Sequence, residues 1–144
     1  MIVKDNKKTE GELMSDLNYE TVLAEAHQAG MAAGVAKVPT PMVVAQHKNM
    51  ADDNSEIEKT WLVPSGVCGF AWVVTTEHGN GKFVKYLKSN SDRMDGNKCY
   101  YGGHYVVWVR EFGQSYEQKV AYAQAYADVL AGYGLKVYAD GRLD

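Results

Sequence analysis

Hydrophobic residues recur along this chain at two spacings, and the spacing changes from one segment to the next. Three segments have the period of amphipathic helices: residues 15–36, 82–89 and 115–133. Four others are short apolar runs of the kind that form strands: residues 42–46, 67–75, 104–112 and 135–139. The predicted order is α-β-β-α-β-α-β, with a further short strand near Trp61. This order indicates an α+β fold with about three helices packed on four or so strands in a mostly antiparallel or mixed sheet.

Residues that cap helices stand at the predicted helix ends. Ser15 or Asn18 can cap the first helix, and the prolines at positions 39 and 41 end it. Ser115, followed three residues later by Gln118, fits a capping box at the start of the last helix.

The first helix is crowded with small residues. Gly30 and Gly34 have the spacing of a membrane dimer motif, but the charged and polar residues around them do not suit a lipid-facing helix. We therefore predict that this helix packs closely against another element of a water-soluble fold.

The chain of 144 residues is long enough for one domain with its own core. Residues 1–14 are polar and unpatterned, so we predict a flexible N-terminal arm followed by a single domain over residues 15–144. Residues 47–59 are rich in acidic side chains and are predicted to be a solvated loop. The chain has neither a long apolar run nor the apolar core of a signal peptide, so we expect no membrane contact and a cytoplasmic location.

The cysteines and tryptophans bear on the predicted core. Cys68 and Cys99 are predicted to be free thiols, because the cytoplasm is reducing and Cys68 lies in an apolar strand. Trp72 and Trp108 are predicted to anchor the core from the two central strands.

Candidate catalytic chemistry is sparse. The four histidines are scattered and no C-x-x-C or H-x-x-x-H spacing occurs, so we predict neither a metal site nor a cofactor. Cys99 lies beside Lys98, which favours the thiolate, and His104 could act as its base only if the intervening glycines fold the chain back. The spacing identifies no partner for Cys99, so no catalytic residue is assigned and an enzyme is not favoured.

A basic segment follows the strongest predicted strand. Its positive residues are Lys82, Lys85, Lys88 and Arg93. Asn80 and Gly81, just before the helix, could cradle an anion with their backbone amides, although Asn-Gly is also a favourable turn. Tyrosines nearby could stack on nucleic-acid bases. Because the net charge is −3, an ordinary solvated helix face is the favoured interpretation, and nucleic-acid or nucleotide binding by residues 82–98 is the alternative.

The last helix has two apolar stripes. One contains Val120, Ala123, Ala127 and Leu130, and the other contains Tyr122, Tyr126, Val129 and Tyr133. Together they form a face too wide for ordinary one-sided packing. Either the helix lies between two layers, or the tyrosine stripe contacts another protein, as tyrosines at interfaces often do. We predict that Tyr122 is buried and that Tyr126, Val129 and Tyr133 contribute to a protein interface.

Several blocks of the sequence resemble uncharacterised small bacteriophage proteins. They are Pro39-Thr40-Pro41-Met42, Gly66-Val67-Cys68-Gly69-Phe70-Ala71-Trp72-Val73, Tyr101-Gly102-Gly103, Gln114-Ser115 with Ala121-Tyr122-Ala123, and Arg142-Leu143-Asp144. The resemblance implies expression in the cytoplasm of an infected bacterium, where short proteins often bind host machinery. It carries over no active site.

These features favour a non-enzymatic binding protein, a phage accessory or host-directed factor that acts through a protein surface. The partner would be a host protein or a second copy of the chain. A nucleic-acid or nucleotide binder is the first alternative, and a structural component of the virion is another. A small enzyme that uses Cys99 or an acidic residue is the remaining hypothesis.

Overall fold

The computed structural model describes residues 17–49, 51, 52, 54–90 and 94–144. The elements in chain order are α1 (Tyr19–Ala36), β1 (Met42–His47), β2 (Ile57–Val63), β3 (Gly69–Thr75), α2 (Lys82–Ser89), β4 (His104–Trp108), α3 (Tyr116–Gly132) and β5 (Val137–Leu143). The α+β fold and the predicted order of elements are confirmed. The predicted arm, residues 1–14, lies outside the described residues, as does Ser15.

The described strands form two antiparallel sheets. β1 and β2 form a two-stranded sheet, and β3 is the central strand of a second sheet in the order β4-β3-β5. β1 ends at His47 and β2 begins at Ile57, so the prediction of a loop over residues 47–59 is wrong for its first residue and its last three. The backbone of the last three residues pairs with the end of β1, with Gln46 opposite Lys59 and His47 opposite Ile57, which stabilises a strand despite their charged side chains.

The main core lies between one face of the three-stranded sheet and the helices. Ala71 and Val73 of β3 point toward this core and are fully buried. Tyr122, Tyr126 and Leu130 of α3 complete it from the helical side. Helix α3 therefore lies between the sheet and α1.

The glycines of α1 allow its close approach to neighbouring rings. A Cβ atom added at Gly30 would lie 2.7 Å from Cδ2 of Tyr122, and one added at Gly34 would overlap the ring of Phe112. Phe112 itself has φ of 68°, an unusual conformation for a bulky residue, and its ring packs 6.3 Å from that of Tyr122. The prediction that this helix packs closely against another element is confirmed.

Two predicted caps are formed. Oδ1 of Asn18 accepts a hydrogen bond from the Thr21 amide at 3.2 Å, and Oγ of Ser115 accepts one from the Gln118 amide at 3.4 Å. The side chain of Gln118 donates to the carbonyl oxygen of Gly34 at 3.1 Å. Gln118 therefore ties α3 to α1.

Both cysteines are free thiols. Cys99 is buried, whereas Cys68 is half-buried and lies just before β3, opposite Ser115. The prediction that Cys68 lies inside a core strand is therefore wrong. Across the part of the chain that the structure describes, no helix combines the length and apolar character that a membrane span needs.

Candidate binding site

The face of the three-stranded sheet opposite α1 and α3 carries aromatic side chains. Because side chains alternate along a strand, Phe70 and Trp72 of β3 point away from the helices. Tyr105 and Trp108 of β4 pack beside them. We call Phe70, Trp72, Tyr105 and Trp108 the aromatic platform.

A bulge in β4 brings its two platform residues to the same face. Tyr105 and Trp108 are three residues apart, so a regular strand would point them to opposite faces. In the observed register Val73 pairs with Val107, but Val74 pairs with Tyr105, which leaves Val106 as the extra residue of a bulge. Tyr105 and Trp108 consequently lie side by side, with ring centroids 5.3 Å apart.

The other rings of the platform are also in contact. Trp72 and Trp108 lie opposite each other in the strand register, with ring centroids 4.7 Å apart. Phe70 meets Trp108 edge-on at 6.5 Å. The platform is thus a continuous aromatic surface across two strands.

A tight turn before β4 projects two more tyrosines. The Cys99 amide donates to the carbonyl of Gly103 at 2.9 Å, and Gly103 has φ of 79°, which favours glycine. Tyr100 and Tyr101, which we call the turn tyrosines, are 90% and 84% exposed and meet edge-to-face at 5.1 Å. Adjacent aromatic side chains with this exposure are typical of a contact surface.

Cys99 lies beneath this turn and belongs to the platform's own small core. It packs with Trp72 and Val74, and its hydrogen bond to Tyr105, together with burial, raises the pKa of Tyr105 to about 12. His104 precedes Tyr105 in β4, so its side chain points to the other face. The structure therefore does not bring Cys99 and His104 together as a nucleophile and its base.

A groove of about 400 Å³ runs along the platform and the turn tyrosines. Asp140 and Arg142 of β5 also line it. The Arg142 guanidinium lies 5.9 Å from the centre of the Phe70 ring, and Nζ of Lys119 lies at the same distance. These distances allow cation–π attraction, so the Phe70 end of the platform is basic.

Positive charge near the far end of β3 surrounds His104, whose side chain points away from the platform. The backbone of His104 pairs with that of Thr75 at the far end of β3. On its other side, His104 forms an isolated antiparallel backbone bridge with Lys98. Burial lowers the pKa of His104, and the charges of Lys88 and Lys98 lower it further. Lys88 and Lys98 therefore lie on the side of His104, away from the platform, and the basic side chains beside the platform are Arg142 and Lys119 at its Phe70 end.

The residues of the predicted basic site lie on α2 and not at the platform. Lys82, Lys85 and Lys88 are exposed on α2, and the charge of Lys88 acts on His104, whose side chain points away from the platform. Gly81 caps α2, and the Asn80 amide donates to Nδ1 of His78 at 3.0 Å, as expected for a turn. Arg93 lies outside the described residues.

The tyrosine stripe of α3 lies within the fold. Tyr126 is only 1% exposed, and burial raises its pKa, so the prediction of an exposed Tyr126 is wrong. The reason is that Tyr126 belongs to the main core with residues of α1, and its hydroxyl lies 3.7 Å from Sδ of Met94. Tyr122 is buried as predicted, Val129 is half-buried against the main core, and Tyr133 is half-buried and donates a hydrogen bond to Glu25.

A polar cluster near the contact of α1 with α3 was not identified from the sequence. Nδ1 of His27 lies 2.5 Å from the hydroxyl oxygen of Tyr122, and both side chains line a cavity of about 320 Å³. Oε2 of Glu111 also lies at this cavity, buried and without a hydrogen-bond partner among the described residues. These residues come from distant segments, so no local motif could have revealed the cluster. Within the described ranges no group of three His, Cys, Asp or Glu side chains is suited to hold a metal ion.

No protein-family model, curated protein or solved structure matches this chain. The resemblance to bacteriophage proteins therefore stays a prediction.

Proposed function

We propose that the protein is a non-enzymatic binding protein whose aromatic platform and turn tyrosines bind single-stranded nucleic acid. The observation that carries this proposal is a continuous aromatic surface on one face of the sheet, with the exposed turn tyrosines beside it and Arg142 and Lys119 at its Phe70 end. Nucleic-acid binding is the interpretation of the sequence that came second to a protein interface. The proposed site lies on the three-stranded sheet and not on the exposed face of α2.

Stacking would supply most of the affinity. Each base that stacks on an aromatic side chain contributes about 1–3 kcal/mol, and stacking tolerates any base because each has a flat face. Tyr100 and Tyr101 are nearly fully exposed, and Trp108 is half-buried, so each has ring surface left for a ligand. Trp72 is more deeply buried and supports the other rings from below.

Phosphate contacts would contribute less. Arg142 is exposed beside the Phe70 ring, whereas Asp140 opposes phosphate binding in the same groove. With about one or two phosphates neutralised, the logarithm of affinity should fall with the logarithm of salt concentration with a slope of about −0.7 to −1.4. The net charge of −3 agrees with this modest dependence.

Fluorescence anisotropy with a labelled pyrimidine oligonucleotide of about 12 nucleotides tests the proposal, since this length lies within the range of known single-strand sites. Replacing both Tyr100 and Tyr101 by serine should weaken binding by about 10- to 100-fold, from the loss of at least one base stack. Both side chains are exposed, so this double variant should keep its circular dichroism spectrum. Tyr133→Ser is the matched control, because Tyr133 lies on the helical side of the molecule and should not affect binding.

A second pair of variants separates phosphate contacts from general charge. Arg142→Gln should reduce the magnitude of the salt slope by about 0.7, whereas Lys85→Gln, on an exposed face of α2, should leave it unchanged. The absence of measurable binding, or binding that is unaffected by the double tyrosine variant, would reject the proposal.

Protein binding, which the sequence favoured, is a second candidate function. The specific observation in its favour is the exposed apolar surface of β1 and β2, where Val43, Ile57, Trp61 and Leu62 all face solvent. This surface is separate from the aromatic platform.

A further inference from the structure

We call the two-stranded sheet of β1 and β2 the hairpin. Its two strands form hydrogen bonds with each other and not with the other described strands. Its register runs from Met42 opposite Val63 to His47 opposite Ile57. Neither strand joins the three-stranded sheet. An isolated two-stranded hairpin is at best marginally stable in water, so a stable hairpin of this kind needs a further surface to pack on.

The hairpin is fixed to the domain at its base. The Thr40 amide donates to Oε2 of Glu117 in α3 at 2.5 Å. Gly66, with φ of 74°, lies so close to Thr40 that an added Cβ would come within 2.6 Å of its carbonyl oxygen. The two ends of the hairpin are thus held together, and the strands project from this point.

Large apolar side chains are exposed on the projecting strands. Val43 is 65% exposed and Leu62 is 59% exposed, and these two residues lie opposite each other in the register. Exposed apolar pairs on a strand are typical of surfaces that become buried on association.

The two edges of the hairpin differ in how well they are protected from pairing with a strand of another molecule. β2 carries Glu58 and Lys59, and charged side chains on an edge strand oppose pairing with another strand. β1 has the sequence Met-Val-Val-Ala-Gln-His, without a lysine, an acidic residue or a proline. Its edge is therefore the one open to pairing.

We propose that β1 pairs antiparallel with β1 of a second copy of this chain, which gives a four-stranded sheet across a twofold axis. When two copies of one strand pair antiparallel about a twofold axis, each copy uses the same edge to bind the other. No such edge is left for a third copy, so the assembly is a dimer. The uncharged sequence of β1 lets two copies meet without opposing like charges.

Charge at the two ends of the hairpin favours the same arrangement. The tip segment, residues 48–56, contains one lysine and three acidic residues, Asp52, Asp53 and Glu56. The base segment, residues 37–41, contains Lys37, and the carboxylate of Glu117 lies beside it at Thr40. Antiparallel pairing keeps the two acidic tips at opposite ends of the new sheet, whereas parallel pairing would bring them together.

Sedimentation equilibrium of the full chain over a range of concentrations tests the proposal. We expect a reversible monomer–dimer equilibrium, and Val43→Lys should raise the dimer dissociation constant at least about tenfold, or 1.4 kcal/mol. The matched control is Val35→Lys, because Val35 is 70% exposed on α1 and lies outside the hairpin. The control should dimerise like the unaltered chain.

Cysteine cross-linking then identifies the paired edge. In a Cys68→Ser background, Val44→Cys or Ala45→Cys should form an intermolecular disulfide on mild oxidation, since residues near the centre of an antiparallel self-pair face each other. A Lys59→Cys variant on the protected strand should not. Three results would overturn the proposal: a monomer at several hundred micromolar, a dimer that Val43→Lys does not weaken, or cross-linking through position 59 alone.

Discussion

At the scale of single residues, the distance between α1 and α3 depends on two glycines. Gly30 accepts the ring of Tyr122, and Gly34 accepts the ring of Phe112. Tyr122 and Gly34 are buried, and Phe112 is half-buried with backbone torsions that few bulky residues adopt. The rings and glycines therefore form one tightly packed contact, in which a single added methyl group has no free space.

Gly30→Ala should destabilise the protein by about 1–3 kcal/mol, because the new methyl group would overlap the buried ring of Tyr122. Urea denaturation followed by circular dichroism measures this change. Gly132→Ala is the matched control, since Gly132 ends α3 with no atom within 4 Å of an added Cβ. The control should be neutral or stabilising by up to about 1 kcal/mol, and equal effects of the two substitutions would contradict the packing argument.

His104 should make stability depend on pH. Burial and the charges of Lys88 and Lys98 lower its pKa in the folded state, while the unfolded chain keeps a pKa of about 6.5. Between these two values the unfolded state binds more protons, so stability falls as pH decreases below about 6.5. His104→Gln should lose less stability than the unaltered chain between about pH 7.5 and pH 5, as measured by urea denaturation. Parallel pH profiles for the two proteins would show that His104 does not contribute.

At the scale of elements, the aromatic platform depends on the bulge of β4. The alternating pattern of β3 predicts that Trp72 and Phe70 share a face. The same rule separates Tyr105 from Trp108, and only the extra residue Val106 brings them together. A bulge has no reliable local signal, so the strands were predictable from the sequence but the platform was not.

The tyrosine stripe of α3 shows a related limit on what can be predicted from the sequence. Its spacing on α3 correctly indicated a helix with a wide apolar face. Whether Tyr126 faced solvent or a second layer depended on where α1 packs, which is a contact between distant segments. Gly30 and Gly34 were the residues that indicated this contact, because small residues on α1 allow a helix carrying large tyrosines to pack against it.

Trp72 and Trp108 should contribute differently to stability and binding. Trp72 is 9% exposed in the central strand, so Trp72→Ala should cost about 3–5 kcal/mol through lost burial and a cavity. Trp108 is half-buried on the edge strand β4, so Trp108→Ala should cost less stability. If the platform binds bases, Trp108→Ala should also weaken oligonucleotide binding by about tenfold under conditions where it stays folded. Denaturation and anisotropy on the same samples separate the two effects, and equal loss of stability in both variants would contradict this assignment.

At the scale of the whole molecule, the described structure has two parts with different packing. The three helices and the three-stranded sheet share a continuous core. The hairpin contributes no residue to that core or to the small core of the platform. A binding surface on the sheet and an association surface on the hairpin can therefore act independently, and a change to one should leave the other intact.

Removal of the hairpin tests this independence. Thr40 and Gly66 lie next to each other, so a short Gly-Ser linker can replace residues 42–63 without straining the chain. We expect cooperative urea unfolding with a free energy within about 1 kcal/mol of the unaltered chain, because little buried surface is lost and the loop becomes shorter. The shortened protein should be monomeric and should still bind oligonucleotide. As a control, replacing the turn at residues 99–103 by the same linker should destabilise the fold, since it removes the buried Cys99. Loss of cooperative unfolding on removal of the hairpin, with the control less affected, would mean that the hairpin belongs to the folding unit.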